Sequence, residues 1–511
     1  MEDYDAVAQP RNTYDECVTY ITNELVLAAQ ALPLDRAIQE IARPTRGAAL
    51  ALRAKVLLYA ASPLMNGQTP ADIASELVDD QGNRLLPEAY DESKWAKAAA
   101  AAKDVIELNR YTLFVSYATD KGDIAFPATI APPYHPEFSE QAWPNGWKDI
   151  DPFESYRAIF NGTVSAFENK ELIFTRGQNT GDQSINNMVI HQLPRVAKGW
   201  NTHGLTQKQC DAYYMNDGTD CPGKDKEINR GDGSERMSGY VTKEDVEAGR
   251  YKPLSEGVSL QYANREPRFY ASVAYNGDVW NLLNSNKNAG EPQNIQVFYY
   301  RGDGNGYTNS MFWLRTGIGV KKFVHPDDMG KGDNNEELIK KKVEPAIRYA
   351  EVLLIYAEAL NELGEGASYD IPSWDGSITY TVRRDVEEMK KGIQPVRIRA
   401  GVPDYSPTEY QNQDVFRKKL KRERQIELMG ENHRYYDLRR WKIDAPLEEE
   451  TLIYGCNMLM DDGHKDLFHT PVAIMSLPVR FVEKSYFWPF SHEQLQRNKR
   501  LTQNPGWTYY D

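Results

Sequence analysis

Apolar residues recur at three- and four-residue intervals in two blocks of this chain, one near each end, and lose that period between them. In the first block, Thr13–Leu32 opens on a Thr/Asp start signal and ends before Pro33. Thr45–Ala61 sets Leu50, Ala54, Leu57 and Leu58 on one face and stops at Ser62-Pro63. Asp91–Asn109 carries Ser93 as its expected cap, then Trp95, Ala99, Ala102 and Ile106 along one side. The alanines permit a neighbouring helix to approach closely. The pattern predicts helices from about residue 13 to 109.

The second block predicts helices over Pro345–Gly364, Thr379–Gly392 and Asp414–Trp441. In the first of these, Tyr349, Leu353, Tyr356, Leu360 and Leu363 form one apolar stripe, with Gly364 as a stop. The last differs. At about 100° per residue, Phe416, Leu420, Glu423 and Glu427 fall nearly on one line, so a stripe that begins apolar continues with carboxylates. Buried carboxylates need partners. Arg417, Arg422, Arg424, Arg434, Arg439 and Arg440 are close in sequence, which points to a partly buried Arg–Glu network locking helix ends. The competing readings are an ordinary solvated charged helix and a catalytic carboxylate pair; the i,i+4 spacing favours ion pairing over catalysis.

Between the blocks, from about 117 to 335, Pro, Gly, Asn, Asp and aromatics dominate, with strand-like pieces at Glu171–Thr175 and Ile295–Tyr300. So long an irregular region reads as a functional elaboration on a rigid scaffold. Scaffold helices at both ends make the 511 residues one discontinuous domain rather than separate modules. The Asp-rich stretch Asp327–Glu337 lacks the ligand order of a calcium loop, and no metal site or cofactor is expected.

Composition narrows the function. With 60 basic and 74 acidic residues the net charge is -14, which disfavours nucleic-acid partners and costs neutral ligands nothing. No run of 18 apolar residues and no signal-peptide pattern occurs. The four cysteines form no CxxC pair; Cys210 and Cys221 flank a turn-rich segment and either bridge in an oxidising compartment or stay as thiols. No Ser-His-Asp, HExxH or P-loop signature is present. The 31 tyrosines and 10 tryptophans are the enrichment. Each is either a flat platform for a ligand or a core residue with a polar tip at the surface.

Several segments resemble one family. AIRYAEVLLIYAEALNELG (346–364) and RERQIELMGENHRYYDLRRW (422–441) are similar to two signature helices of SusD/RagB-like proteins. RGAALALRAKVLLYAASPLMN, LTQKQCDAYYMNDG, NREPRFYASVAYNGDVW, VRIRAG and QNPGW fit the same family in order, over nearly the whole chain. Met429 and Gly430 depart from its usual pattern, and a lipobox cysteine and first helical segment upstream of Tyr14 are missing from what the family normally has.

The resemblance implies a mainly α, tetratricopeptide-like scaffold with long irregular loops and a few short strands; Trp95 followed by small residues is a fainter echo of those repeats. It implies a non-catalytic, surface-exposed outer-membrane lipoprotein that binds oligo- or polysaccharide and lids a SusC-like TonB-dependent transporter, held to the membrane only by a lipid anchor absent from this chain. The alternatives are peptide capture by a RagB-like protein and, from another class, a glycoside hydrolase. Sugars offer apolar C–H faces and a rim of hydroxyls, so aromatic platforms in the irregular region are the expected contacts. The candidates are Trp280, Tyr307 and Trp313, then Trp143 and Trp147 in a Pro/Gly-rich loop, and Asn66 after the Ser62-Pro63 helix end. Trp441, Trp488 and Trp507 are expected to be structural.

Overall fold

The structure is a computed structural model and describes residues 4–118, 130–177, 184–223, 237–282, 294–308, 312–330, 338–449, 452–475 and 477–508. Helix α1 (Tyr14–Ala31) starts at a capping box: Thr13 Oγ1 accepts from Glu16 N at 3.2 Å, and the Glu16 carboxylate accepts from Thr13 N at 2.8 Å. Thr45 likewise caps α2 (Arg46–Ala61), which ends at Ser62. Helix α3 (Ser93–Glu107) corrects one expectation. Ser93 is its first residue, not its cap; Asp91 Oδ1 accepts from both Ser93 N (2.9 Å) and Ser93 Oγ (2.6 Å).

The middle of the chain supplies α4 (Pro152–Asn161), β1 (Leu172–Thr175), α5 (Ile185–Gln192), β2 (Asp278–Asn281) and β3 (Asn294–Val297). Then follow β4 (Pro345–Arg348), α6 (Tyr349–Asn361), β5 (Ser368–Pro372), β6 (Thr379–Arg383), α7 (Val386–Arg399), α8 (Gln413–Glu427) and α9 (Arg434–Arg440). The three C-terminal helices expected from periodicity therefore need correction. Residues 345–348 and 379–383 are strands, and the long 414–441 helix is two helices. The break falls where Gly430 (φ +76°) and Asn432 (φ +64°) turn left-handed, a conformation a continuing helix cannot adopt.

Helix α1 packs on α2, α2 on α3, α3 on α6, and α6 on α7 and α8. Ala96 and Ala98–Ala102 of α3 are buried in this interface with Leu354, Tyr356 and Leu360 of α6. Gly392 of α7 lies so near α6 that a Cβ there would sit 2.5 Å from Leu353 O and 2.9 Å from the Ala357 Cβ. A second core fills the middle region and is aromatic, including Tyr156, Phe160, Tyr213, Tyr262, Phe269 and Tyr275. Tyr156 donates its hydroxyl to Glu427 O at 3.0 Å and Tyr270 to Tyr262 O at 2.8 Å. Much of the aromatic enrichment is thus core, not ligand surface.

Two devices tie the middle to the helical scaffold. Strand β1 pairs antiparallel with β4, Leu172 opposite Arg348 and Thr175 opposite Pro345, with register shifts between. Beside this pairing lies a buried ionic brace. Glu423 and Glu427 of α8 are both inaccessible to solvent. Arg268 Nη1 reaches Glu423 at 2.5 Å and Glu427 at 2.9 Å, and Arg397 Nη1 reaches Glu423 at 2.9 Å. Arg348 contacts Glu427 (2.8 Å), Glu171 (2.7 Å) and Glu431 (2.7 Å), while Arg399 contacts Glu171 at 3.0 Å and also Glu427. The network expected from sequence is present, but its partners are not the nearby arginines. They come from residues 268, 348, 397 and 399. Arg424 and Arg440 instead build a second cluster with Asp437 and Glu358, to which Trp441 Nε1 donates at 2.8 Å.

Burial alone would raise the Glu431 carboxyl; Arg348 and Lys322 more than offset this and hold it down to about 2. Burial opposes ionisation of Glu427 too, but Arg399, Arg348 and Arg268 hold its carboxyl well below the ordinary range. A pair that is ionised, enclosed and fully engaged by guanidinium groups has no room for a scissile bond, so Glu423 and Glu427 are not a catalytic pair.

Candidate ligand site

Tyr307 and Trp313 are brought together at a half-buried edge of the middle region, with ring centroids 4.9 Å apart and planes at 84°. The Arg315 guanidinium stacks over Trp313 at 4.3 Å. Residues 309–311, between the two rings in sequence, lie outside the described residues. On the same loop Phe312 is 42% exposed and lies 5.0 Å from Trp200, which is 40% exposed. Trp200 in turn meets His191 edge-on at 4.5 Å, and His191 stacks on His203 at 4.8 Å.

Arg195 fixes this edge. Its Nη1 donates to Gly304 O (2.9 Å) and Gly306 O (3.1 Å), and its Nη2 donates to Phe312 O (2.6 Å). Asn201 Nδ2 donates to Asn305 O at 2.8 Å. Gly306 is required by close approach: a Cβ there would collide with the Tyr300 carbonyl oxygen. The segment that bears Trp200 follows α5 and turns through Lys198 (φ 58°) and Asn201 (φ 53°), which carries Trp200 outward between them. Burial, then the neighbouring His191, push the His203 imidazole down to about 4, so both stacked rings are neutral near pH 7. The arrangement offers apolar ring faces beside backbone and amide polar groups held by Arg195, which suits a ligand with both C–H faces and hydroxyls.

The other expected site residues lie elsewhere. Trp280, in β2 opposite Ile295, is 4% exposed and belongs to the aromatic core, so it presents no platform. Trp147 is 6% exposed; it packs on Phe138 and donates from Nε1 to Ser139 Oγ at 3.2 Å. Trp143 is half-buried against Leu113, Val396 and Ile398. Asn66 is fully buried, and its amide is consumed by Ala61 O (3.1 Å), Asp91 O (2.9 Å) and Asp91 N (3.0 Å). It is a brace between α2 and the start of α3. The three tryptophans are candidates because they sit in Pro-, Gly- or Asn-rich segments, and Asn66 because the family resemblance places the loop after Ser62-Pro63 near ligand. Burial overrides that signal. Trp488, expected to be structural, is 70% exposed, whereas Trp441 is buried. Cys210 and Cys221 are both buried thiols, and Cys221 donates to Pro222 O at 3.2 Å. Sequence reasoning missed Trp200, Phe312 and the loop-pinning Arg195. Trp200 lay in a short Lys-Gly-Trp-Asn turn that carried its own exposure signal.

A family model described as the SusD family matches residues 170–507, which is more than half of the chain. The chain belongs to the SusD family. The curated SusD-like protein P2 of Formosa agariphila is 30% identical over 164 residues, covering 32% of this chain and 25% of that protein. The match thus spans a quarter of that relative's length. Among solved structures, selenomethionine BT4246 superposes with a TM-score of 0.72 at 23% identity, over 97% of this chain and 78% of that one. A SusD-like carbohydrate binding protein from Bacteroides fragilis NCTC 9343 superposes with a TM-score of 0.58 at 17% identity, over 98% and 73%. At these identities the structural likeness shows the fold: a helix-rich, tetratricopeptide-like SusD scaffold. Among the described residues no helix is long and apolar enough to cross a membrane.

Proposed function

We propose that this SusD-family chain is a non-catalytic binding protein that captures oligo- or polysaccharide at the outer face of the outer membrane. It delivers that glycan to a SusC-like TonB-dependent transporter. The observation that carries the reading is the edge formed by exposed Trp200 and Phe312 and half-buried Tyr307 and Trp313, held by Arg195. Flat aromatic side chains, with only two rotatable bonds each, lose little conformational freedom when a sugar stacks on them. The carbohydrate-binding description of the Bacteroides fragilis neighbour agrees with a saccharide ligand. Glu423 and Glu427, the carboxylates a hydrolase reading would use, are locked in ion pairs.

The test is calorimetric titration against a panel of neutral oligosaccharides and a peptide pool, with product analysis after long incubation. A Trp200→Ala/Trp313→Ala double variant should bind its glycan at least about tenfold more weakly, as expected for lost aromatic stacking. Turnover of the glycan, preferential binding of peptide, or unchanged glycan affinity in the double variant would each defeat the proposal.

A further inference from the structure

A concavity of different chemistry from the aromatic edge lies elsewhere in the fold. It is a cleft of about 420 Å³ on the outer face of α8, between that helix, the 207–212 helix and the 444–449 helix. This size falls within the roughly 300–1,000 Å³ of small-molecule sites. In a chain of net charge -14 its wall is basic: six cations face three carboxylates.

The ion pairs do not use up that surplus. Lys421 pairs with Asp444 at 2.7 Å, and Arg422 pairs with Asp220. Lys208 (2.7 Å) and Arg434 (3.5 Å) must share one carboxylate, Glu448. Lys419 turns to Glu409, outside the cleft. Lys418 is exposed and has no ion-pair partner among the described residues. Two positive charges therefore remain unneutralised by the described residues around one concave space. Arg422 adds a second, independent observation. It is 8% exposed, stacks over Tyr214 at 3.9 Å and donates from Nε to Ala212 O, yet its Nη2 is buried with no acceptor among the described residues. An unpaired buried guanidinium donor is costly and is relieved by a further acceptor.

We infer that this cleft binds the oxyanion group, carboxylate or sulfate ester, of an acidic saccharide. Arg422 offers its spare Nη2, Arg434 a guanidinium that shares Glu448, and Lys418 and Lys208 ammonium point charges, a mixture suited to a multi-oxygen anion. The oxyanion half of the inference stands on the cleft alone; the saccharide half rests on the glycan-binding reading above.

The experiment titrates the whole chain with glucuronate, galactose 6-sulfate, neutral galactose and inorganic sulfate at low and moderate salt. An acidic sugar should bind saturably and at least about tenfold more tightly than galactose, the worth of one hydrogen bond to a charged group. That preference should weaken as salt rises. Lys418→Glu should abolish it. The residue is exposed, so the variant should keep the parent thermal midpoint, and Lys208→Ala should show the same loss in weaker form. The Trp200→Ala/Trp313→Ala variant should retain acidic-sugar binding, which separates failure of this site from failure of the aromatic one. Equal affinity for galactose and the acidic sugars, or indifference to Lys418→Glu, would overturn the site. Inorganic sulfate binding as tightly as galactose 6-sulfate would overturn its assignment to a saccharide.

Discussion

Single residues differ sharply in what their charges do. Arg348 is 1% exposed and serves Glu171, Glu427 and Glu431 at once. Removing it takes one cation from each of three buried carboxylates, leaving Glu171 to Arg399, Glu427 to Arg268 and Arg399, and Glu431 to Lys322, a loss on the order of 3–5 kcal/mol. Arg176 and Glu344 form a pair of short distance too, but the Arg176 side chain is 54% exposed, and such a pair is worth about 0–1 kcal/mol. We expect Arg348→Met to lower the urea midpoint strongly and Arg176→Met hardly at all. Equal effects would contradict the brace. At this scale the sequence was half legible. That Glu423 and Glu427 are buried followed from their place on an apolar line; that their partners stand at residues 268, 348, 397 and 399 did not, since nothing local encodes a contact across 155 positions.

Helices and strands repeat the lesson. Periodicity and capping residues placed α1 and α2 to within one residue at each end, because both signals are local. Residues 345–348 continue the apolar stripe of α6, yet they are drawn into a strand by pairing with 172–175, far away in sequence. Thr379–Arg383 did carry a strand signal, since Tyr380 and Val382 alternate inward between exposed neighbours. The burial of Trp280 and Asn66 was not legible for the opposite reason: the local chain says nothing of the core that encloses it. The α6–α7 contact yields a prediction of its own. Gly392→Ala forces a methyl against Leu353 O and Ala357, so the helices must separate. We expect a destabilisation of about 1–3 kcal/mol by equilibrium unfolding. A neutral or stabilising result would mean that the two helices are not in close contact.

For the whole molecule, the titrating groups set a direction with pH. Glu431 is depressed to about 2, so the stability it contributes is complete above its ordinary carboxylate range and lost as pH falls towards 2. His203, lowered to about 4, and His325, lowered to about 3, favour their neutral forms in the fold. Their contribution is complete above the usual imidazole range and is lost as pH falls through those values. Asp104, raised to about 6 by burial, opposes them over part of the interval. The majority prevails, and the thermal midpoint should fall from pH 7 to pH 4. His203→Gln should flatten part of that slope. A midpoint that rises on acidification would contradict this assignment.

The brace also imposes an order in time. Glu171 lies 177 residues before Arg348 and 228 before Arg399, and Glu423 and Glu427 come later still. A chain leaving the ribosome N-terminus first exposes Glu171 long before any of its cations exist. The middle region cannot close its charged centre until α8 has been synthesised, and such distant closures are slow. Closure of the charged centre is therefore a late event, even though α1, α2 and α3 pack on one another within the first 107 residues.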